Sequence, residues 1–404
     1  MSEKYISDWI TKSYLEKLFF NPKSSLNKYQ NIIDFKIEPA CLEGSNFSSV
    51  LLRVTVKLCN NKSVSLIVKT IIREEVASDV LINQFNVHEK EIFVYAVILP
   101  EYAKIFNTNN PFTPFVYDID HVNSAIIFED LSKKGFVVAD RVKCLDEQHC
   151  EKVLEKLAKL HAGSMILNYK NPDIFKNCSI GMVNRNVKLL HDYLNVCLKI
   201  ARDEMKSWHN CQKFISKMQI LEDSLVEKAC CVFDFNTEKD TFTFLHGDLW
   251  TSNILFKYDD DKILNDAMLI DFQMSSFGSP VIDLIYFFFT SAKDHIIMDK
   301  LDKMLEFYHE NLSKNLEEFQ FSHIIPSLDK LKIEWTNKYF HAFISAFMFR
   351  PFMIYEGKAD ISTIMGTHDE ALEFKKKLFS YKPTKNLLQK LLPIFEDNGI
   401  FKNV

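Results

Sequence analysis

The sequence of 404 residues is long enough for two or three domains with a sizeable buried core. Its apolar content of 47% and charged content of 25% are ordinary for a globular protein, and its formal net charge of −5 argues against binding to nucleic acid or to an anionic membrane. The nine cysteines are odd in number and have no C-x-x-C spacing, so we expect reduced thiols. The first residues lack a basic region followed by an apolar run, and we therefore expect a cytoplasmic protein.

The first 130 residues predict a region rich in strands. Residues 50–58 alternate between apolar and polar side chains, and so do residues 64–69, which is typical of strands with one buried face. Asn60 and Asn61 favour a turn between them. The other elements predicted here are a helix at 5–20, a helix from about 75 to 99 that ends at Pro100, and strands at 115–119 and 124–129.

From residue 146 onward the pattern becomes helical. Asp146 is a candidate N-cap for a helix with one apolar stripe. Helices are also expected over much of 183–232 and in the C-terminal part of the chain. The most apolar stretch, 281–292, is too short to span a bilayer and contains Asp283, so we predict a buried helix there.

One motif in the second half of the chain indicates a chemical function. Asp248, in the segment His-Gly-Asp, is followed by Asn253 and then by Asp271. The apolar flanks predict a hairpin with strands at 253–256 and 267–272 around a polar turn. In an antiparallel hairpin the start of the first strand lies beside the end of the second. We therefore expect Asn253 and Asp271 to converge, with Asp248 in the loop just before them.

This arrangement suits phosphoryl transfer. Two oxygen ligands at the end of a strand pair suit Mg²⁺, which binds few protein carboxylates and leaves positions for water and phosphate. Kinase catalytic loops have the same layout, in which an Asp positions the nucleophile and a later Asn and Asp bind metal. We therefore predict that Asp248 is catalytic, and that Asn253 and Asp271 are metal ligands.

The motif resembles that of small-molecule kinases such as aminoglycoside phosphotransferases and choline kinases. His-Gly-Asp replaces the His-Arg-Asp of protein kinases, and Asp-Phe-Gln replaces Asp-Phe-Gly. Further segments are similar to the ecdysteroid kinase-like family, and the resemblance extends from about residue 8 to about residue 290. These segments are Asp8-Trp9-Ile10, Ile127–Leu131 with Gly135-Phe136 and Asp140-Arg141, Leu157–Ser164, Trp250, and Pro280 with Asp283-Leu284.

The resemblance implies an α+β, bilobal protein-kinase-like fold. A strand-rich N-lobe over residues 1–128 would bind the nucleotide, and a mainly helical C-lobe over residues 129–404 would contain the catalytic loop and the acceptor site. The implied ligands are ATP, Mg²⁺ and a small-molecule hydroxyl acceptor. We expect no nucleic acid, no membrane and no obligate protein partner.

The resemblance also implies a set of nucleotide-binding residues. Lys69 lies on the second strand of the first hairpin, where kinases place the lysine that contacts the α- and β-phosphates. It would pair with Glu91 in the following helix, for which Glu89 is a competitor, and Ile67 would cover the adenine. The remaining members are Gly44, Ser45, Asn46 and Ser48 in a phosphate-covering turn, and Glu129 and Leu131 at the lobe junction. Leu42 stands where the family usually has a first glycine.

The implied acceptor is an ecdysteroid or another lipophilic alcohol, such as a plant or drug metabolite. Its candidate contacts are Trp250 in the catalytic loop and three residues of an aromatic-rich segment, Phe343, Phe347 and Met348. Core packing explains these last three at least as well.

Two alternatives stay open at this point. A choline- or aminoglycoside-type kinase would need an acidic or aromatic cage for its acceptor, and a catalytically weak pseudokinase-like binding protein is supported only by Leu42. A protein kinase is disfavoured because no Ala-Pro-Glu follows Asp271.

Three further polar residues have predicted structural roles. We expect His246 to orient the catalytic loop and Asp283 to anchor that loop by hydrogen bonds. We expect His161 to be a hydrogen-bonded core residue.

Overall fold

The computed structural model describes residues 8–21, 25–28, 31–40, 49–59, 61–71, 84–107, 112–178, 181–357 and 359–402. The chain forms two compact units. The first comprises Met1–Val137 with Phe256–Ile270, and the second comprises Val138–Leu255 with Asp271–Val404. The predicted α+β class, with a strand-rich N-terminal part and a mainly helical C-terminal part, is confirmed. The lobe boundary between residues 128 and 129 stays a prediction.

The first unit is built on an antiparallel sheet of five strands in the order β1-β2-β3-β5-β4. The strands are β1 Ile32–Pro39, β2 Ser49–Leu58, β3 Ser63–Ile71, β4 Val116–Asp120 and β5 Ala125–Glu129. The two strands predicted from alternation, β2 and β3, and the two further predicted strands, β4 and β5, are confirmed. The edge strand β1 was not predicted, although Phe35 and Ile37 alternate with charged residues there, as is usual for an exposed edge.

Alternation along β2 and β3 places their apolar side chains in one core. Leu52, Val54, Val56 and Leu58 are all buried, whereas the intervening residues are more exposed. Helix α1, Lys12–Phe20, packs into the same core. It begins later than the predicted residue 5, because Thr11 caps it by accepting a hydrogen bond from the Tyr14 N–H. Residues 5–7 of the predicted helix lie outside the described residues.

The predicted end of the next helix at Pro100 is wrong. Helix α2, Val87–Phe93, passes through a π-helical turn, Val94–Ile98, into α3, Leu99–Ile105. In the π-turn the Leu99 N–H donates to the Val94 carbonyl, five residues earlier. This shift lets Pro100, which has no N–H, lie in the first turn of α3. Residues 75–83 of the predicted helix are outside the described part of the chain.

The second unit is mainly helical. Asp146 caps α4, as predicted, by accepting from the His149 N–H, and every residue of α8 is buried, which confirms the buried helix predicted at 281–292. No described helix is both long and apolar enough to cross a membrane. The helices are α4 Glu147–Lys170, α5 Lys188–Met205, α6 Gln212–Leu221, α7 Leu225–Phe233, α8 Val281–Ser291, α9 Asp294–Asp299, α10 Leu301–Glu318, α11 Leu328–Asn337, α12 Phe340–Ile344, α13 Arg350–Met353, α14 Ile361–Met365, α15 Asp369–Ser380 and α16 Lys382–Asp397.

Two small sheets position the predicted catalytic loop. Strands β8, Ile254–Tyr258, and β9, Leu264–Leu269, are neighbours in a sheet ordered β6-β8-β9, where β6 is Phe136–Val138. The Asp259 N–H donates to the Ile263 carbonyl and closes the turn between them, so the predicted hairpin is confirmed. Its second strand begins and ends earlier than the predicted 267–272, and Asp271 follows the strand instead of ending it. Strands β7, Thr243–Leu245, and β10, Ser276–Gly278, pair antiparallel and flank this hairpin in sequence.

Asp130 connects β2, β3 and the turn after β5 in the first unit. Its carboxylate accepts hydrogen bonds from Arg53 Nε at 2.8 Å, Ser65 Oγ at 2.6 Å and Ser132 Oγ at 2.6 Å. The residue is buried, and these hydrogen bonds outweigh the effect of burial and lower the pKa of Asp130. The cluster therefore depends on an ionised carboxylate.

We predict that Asp130→Ala destabilises the protein by about 2–3 kcal/mol, the usual cost of removing the acceptor from buried charge-assisted hydrogen bonds. Thermal unfolding measures this loss. Asp140→Ala is the matched control, because Asp140 also caps a short 3₁₀ turn but is half exposed. Equal melting temperatures for the two variants would contradict the role given to Asp130.

Candidate active site

The backbone of the catalytic loop, residues 246–253, is held by Asp283. Asp283 lies in the first turn of α8 and is 1% exposed. Its carboxylate accepts hydrogen bonds from the His246 N–H at 2.7 Å and from the Gly247 N–H at 2.9 Å. Burial alone would raise the pKa of Asp283, but these contacts and His161 lower it overall. The predicted anchoring role of Asp283 is therefore confirmed.

His161 is a hydrogen-bonded core residue, as predicted. Its Nε2 lies 3.2 Å from Asp283 Oδ2, and its Nδ1 lies 2.7 Å from the Tyr308 hydroxyl. Both ring nitrogens therefore have partners in a fully buried position. His161 stabilises the carboxylate that in turn anchors the catalytic loop.

Gly247 is required by the local backbone. Its φ is +82°, and a Cβ built at this position would lie 2.1 Å from the carbonyl oxygen of Met274. No other residue type fits such a close approach without a backbone shift. The tight turn places His246 in the core, where the centroid of its ring lies 4.7 Å from that of the Phe272 ring. Asp248 follows directly after this turn. The predicted structural role of His246 agrees with these contacts.

Asp248 is half-buried, and both of its carboxylate oxygens accept hydrogen bonds. Asn253 Nδ2 donates to Oδ2 at 3.0 Å and to the Asp248 carbonyl at 2.8 Å, and the Tyr286 hydroxyl donates to Oδ1 at 2.7 Å. Burial raises the pKa of Asp248 to about 7, and the negative charge of Asp271 acts in the same direction. Hydrogen bonds from Tyr286, Asn253 and Trp250 oppose this rise.

The two predicted metal ligands lie beside Asp248. Asn253 is hydrogen-bonded to it, and Asp271 is close enough to raise its pKa. Asp271 has a φ of +69°, which is unusual for a residue other than glycine and marks a constrained backbone. The described residues contain no group of three or more His, Cys, Asp or Glu that could hold a metal ion. The metal-binding roles of Asn253 and Asp271 stay predictions.

In the first unit, Lys69 forms a buried ion pair with Glu91. Lys69 Nζ lies 2.8 Å from Glu91 Oε1, whereas the competitor Glu89 is exposed. Ile67 lies two residues earlier on the same strand face as Lys69 and is half-buried. The nucleotide-binding roles of Lys69, Glu91 and Ile67 stay predictions.

The remaining predicted nucleotide contacts differ in how far the structure describes them. Glu129 accepts a hydrogen bond from the Phe115 N–H and forms an ion pair with Lys134. Leu131 is buried. Leu42 and the turn residues Gly44, Ser45, Asn46 and Ser48 lie outside the described residues.

The candidate acceptor residues fall into two groups. Trp250 is 7% exposed and hydrogen-bonds to Asp248, so it lies beside the predicted catalytic group. Phe343, Phe347 and Met348 are fully buried, and the two phenylalanine rings stack at 4.7 Å. Such contacts are those of core residues, and a role for these three in acceptor binding stays a prediction.

Tyr286 was not predicted from the sequence as a residue of the candidate active site. It lies in the most apolar of the described helices, where an aromatic side chain is expected to belong to the core. One signal was available, because residues three apart on a helix share a face and Tyr286 follows Asp283 by three positions. The same face of α8 therefore contacts the catalytic loop twice.

A model of the ecdysteroid kinase-like family matches residues 43–321, which is more than half of the chain. The chain therefore belongs to the ecdysteroid kinase-like family, and it is a small-molecule kinase. No curated protein matches the sequence.

Three solved structures illustrate the similarity. The GDP complex of aminoglycoside 2'-phosphotransferase-IIIa has 11% identity and a TM-score of 0.41, with 93% of this chain and 100% of that chain covered. A macrolide 2'-phosphotransferase type I has 15% identity and a TM-score of 0.38, with 92% and 98% covered. The macrolide 2'-phosphotransferase MphH from Brachybacterium faecium has 11% identity and a TM-score of 0.37, with 86% and 92% covered.

We predict that Gly247→Ala strongly destabilises the catalytic loop and abolishes activity, because the new methyl group would meet the Met274 carbonyl. Gly135→Ala is the matched control, since Gly135 has a φ of +83° but no atom within 4 Å of an added Cβ. Left-handed backbone alone costs about 1–2 kcal/mol for alanine. Thermal unfolding of both variants separates this backbone cost from the cost of the clash. Equal losses of stability in the two variants would contradict a clash between the new methyl group and the Met274 carbonyl.

Asp248 should make stability depend on pH in a defined window. In metal-free buffer both the folded and unfolded states are protonated at Asp248 below about pH 4. As the pH rises to about 7, the unfolded state ionises first, so the wild type should lose stability relative to Asp248→Asn. Above that pH the difference should stay constant. Melting temperatures of the two proteins from pH 4 to 8 test this, and parallel curves would contradict the raised pKa.

Proposed function

We propose that the protein transfers the γ-phosphoryl group of ATP to a hydroxyl of a small organic molecule, and that Asp248 orients and deprotonates this hydroxyl. The observation that carries the proposal is the fixed carboxylate of Asp248, with Tyr286 on one oxygen and Asn253 on the other. A carboxylate oxygen has two lone pairs, so each oxygen can still accept the incoming O–H. Asp248 is therefore oriented before the acceptor binds.

The electrostatic environment of Asp248 supports a role as general base. A base is most effective when its pKa lies near the working pH. Burial brings the pKa of Asp248 to about 7, far above that of an exposed aspartate. Because Asp248 is only half-buried, an acceptor hydroxyl can reach it.

We propose Asn253 and Asp271 as the ligands of Mg²⁺. Asn253 Nδ2 donates to Asp248, so the amide oxygen is the atom available to a cation. Together with the carboxylate of Asp271 it forms a set of hard oxygen donors, which suits Mg²⁺. When bound, Mg²⁺ would neutralise negative charge on the phosphates.

We propose that Lys69 contacts the nucleotide phosphates and that Glu91 orients it. The supporting observation is the 2.8 Å ion pair, in which Glu91 is 1% exposed and the ammonium group is held in one position. Ile67 would contact the adenine. The other proposed nucleotide contacts are Gly44, Ser45, Asn46, Ser48, Glu129 and Leu131.

For the acceptor we propose an ecdysteroid or another lipophilic alcohol. Membership of the ecdysteroid kinase-like family supports this class. Trp250 is the best-supported contact, because its large apolar ring lies beside Asp248. An apolar surface with a few polar groups that fix one hydroxyl is the usual form of such a site.

A phosphorylation screen with labelled ATP and Mg²⁺ tests the proposal. Steroid, plant-glycoside and amino-alcohol libraries cover the lipophilic class and the choline- or aminoglycoside-type alternative. We expect transfer of label to at least one lipophilic alcohol. Transfer only to amino alcohols would favour the alternative, and no transfer to any acceptor would contradict a phosphotransferase function.

Two variants separate the proposed roles once an acceptor is found. We predict that Asp248→Asn keeps ATP binding but lowers kcat by roughly 10²–10⁴-fold, the usual contribution of a positioned base. Asp271→Ala should instead remove the Mg²⁺ dependence of ATP use. Steady-state kinetics, ATP titration and Mg²⁺ titration measure these effects.

Asp260→Asn is a suitable control for both variants, because Asp260 is exposed in the turn of the same hairpin. Its kinetics should equal those of the wild type. Loss of ATP affinity in Asp248→Asn would assign Asp248 to metal binding instead, and normal Mg²⁺ titration of Asp271→Ala would remove Asp271 from the metal site.

A further inference from the structure

We infer that Tyr286 is a positioning residue for the phosphoryl transfer proposed above, and that it holds the Asp248 carboxylate in the orientation in which it receives the acceptor proton. The inference rests on the proposed function, because it assigns Asp248 the role of base. It assigns Tyr286 a role exerted through Asp248, to which its hydroxyl donates a hydrogen bond.

The first argument is the geometry of the hydrogen bond. The Tyr286 hydroxyl donates to Asp248 Oδ1 at 2.7 Å, which is a normal length for such a contact. Asn253 already holds the other oxygen. With only one of these contacts, the carboxylate could rotate about its Cβ–Cγ bond. With both, its plane is fixed.

The second argument is that the tyrosine ring itself cannot move freely. Tyr286 is 2% exposed. Its ring stacks on His341, with centroids 5.8 Å apart and an interplanar angle of 14°, and Phe349 contacts it edge-on at 5.7 Å. The hydroxyl is therefore a donor at a fixed position, as a positioning role requires.

The third argument is that helix α8 fixes the position of both the backbone of the catalytic loop and the carboxylate of Asp248. Asp283 and Tyr286 are three residues apart on α8 and share a face. Asp283 accepts from the backbone of His246 and Gly247, whereas Tyr286 donates to the side chain of Asp248. The relative position of the loop and its carboxylate is thus determined by α8.

The charges around Tyr286 keep its hydroxyl a donor. Burial and the negative charge of Asp248 raise the pKa of Tyr286 well above its ordinary value, and Tyr193 and Asp283 act in the same direction. Burial lowers the pKa of His341 to about 3, so the ring stacked on Tyr286 is neutral. The Tyr286 hydroxyl therefore stays protonated and donates its hydrogen bond to Asp248.

The test compares Tyr286→Phe with the wild type in the full-length protein, with an acceptor found in the screen. We expect kcat to fall roughly tenfold, the size expected for one hydrogen bond to a charged group, with the KM for ATP and for the acceptor changed by less than about twofold. Tyr102→Phe is the matched control, because it also removes the hydroxyl of a fully buried tyrosine, one that lies in the first unit with its ring packed against Phe106 and Phe112. Its kcat should equal that of the wild type.

A double variant decides whether Tyr286 acts through Asp248. In the Asp248→Asn background, Tyr286→Phe should cause no further loss of kcat, because the group it positions is already absent. An equal loss in both backgrounds, or unchanged kcat in the single variant, would overturn the inference while leaving the proposed function intact. Absence of turnover by the wild type on every acceptor would overturn both.

Discussion

The buried carboxylate of Asp283 is the interaction on which the candidate active site depends. It binds two consecutive backbone N–H groups of the catalytic loop and is itself stabilised by His161. Removing one partner from a buried network of charged groups lowers the free energy of unfolding by about 3–5 kcal/mol, because a buried charge is then left without its partner. The turn at Gly247, the position of Asp248 and its contacts with Asn253 and Tyr286 all follow from this anchor. A single side chain in the first turn of α8 thus organises the loop.

The two carboxyl groups at the catalytic loop, Asp283 and Asp248, have pKa values shifted in opposite directions. Asp283 receives enough hydrogen bonds to stay ionised, and its pKa is lowered. Asp248 receives hydrogen bonds from Tyr286, Asn253 and Trp250, but burial, together with the negative charge of Asp271, outweighs them and raises its pKa to about 7. The first carboxylate can therefore serve as a permanent acceptor for backbone N–H groups, and the second can exchange a proton near neutral pH. This difference agrees with an anchoring role for Asp283 and with the catalytic role proposed for Asp248.

Local patterns in the sequence predicted the elements whose structure is decided locally. Alternation predicted β2 and β3, and the apolar flanks of the motif predicted the hairpin that follows the loop. The helix ending at Pro100 was wrong, because a π-turn accommodates the missing N–H and depends on hydrogen bonds that proline statistics do not include. The contact of Tyr286 with Asp248 was missed, since it spans 38 positions and requires the packing of α8 against the loop; its spacing of three from Asp283 was the one local signal. The burial of Phe343 and Phe347 likewise arises from distant partners such as Phe395.

The central claim is that Asp248 is a base that its surroundings hold fixed and partly deprive of water. The most direct measurement is a carboxyl-carbon NMR titration of metal-free protein labelled at aspartate, with Asp248→Asn used to assign the signal. Our account predicts a midpoint near pH 7 for Asp248. A midpoint near 4, the value of an exposed aspartate, would contradict it.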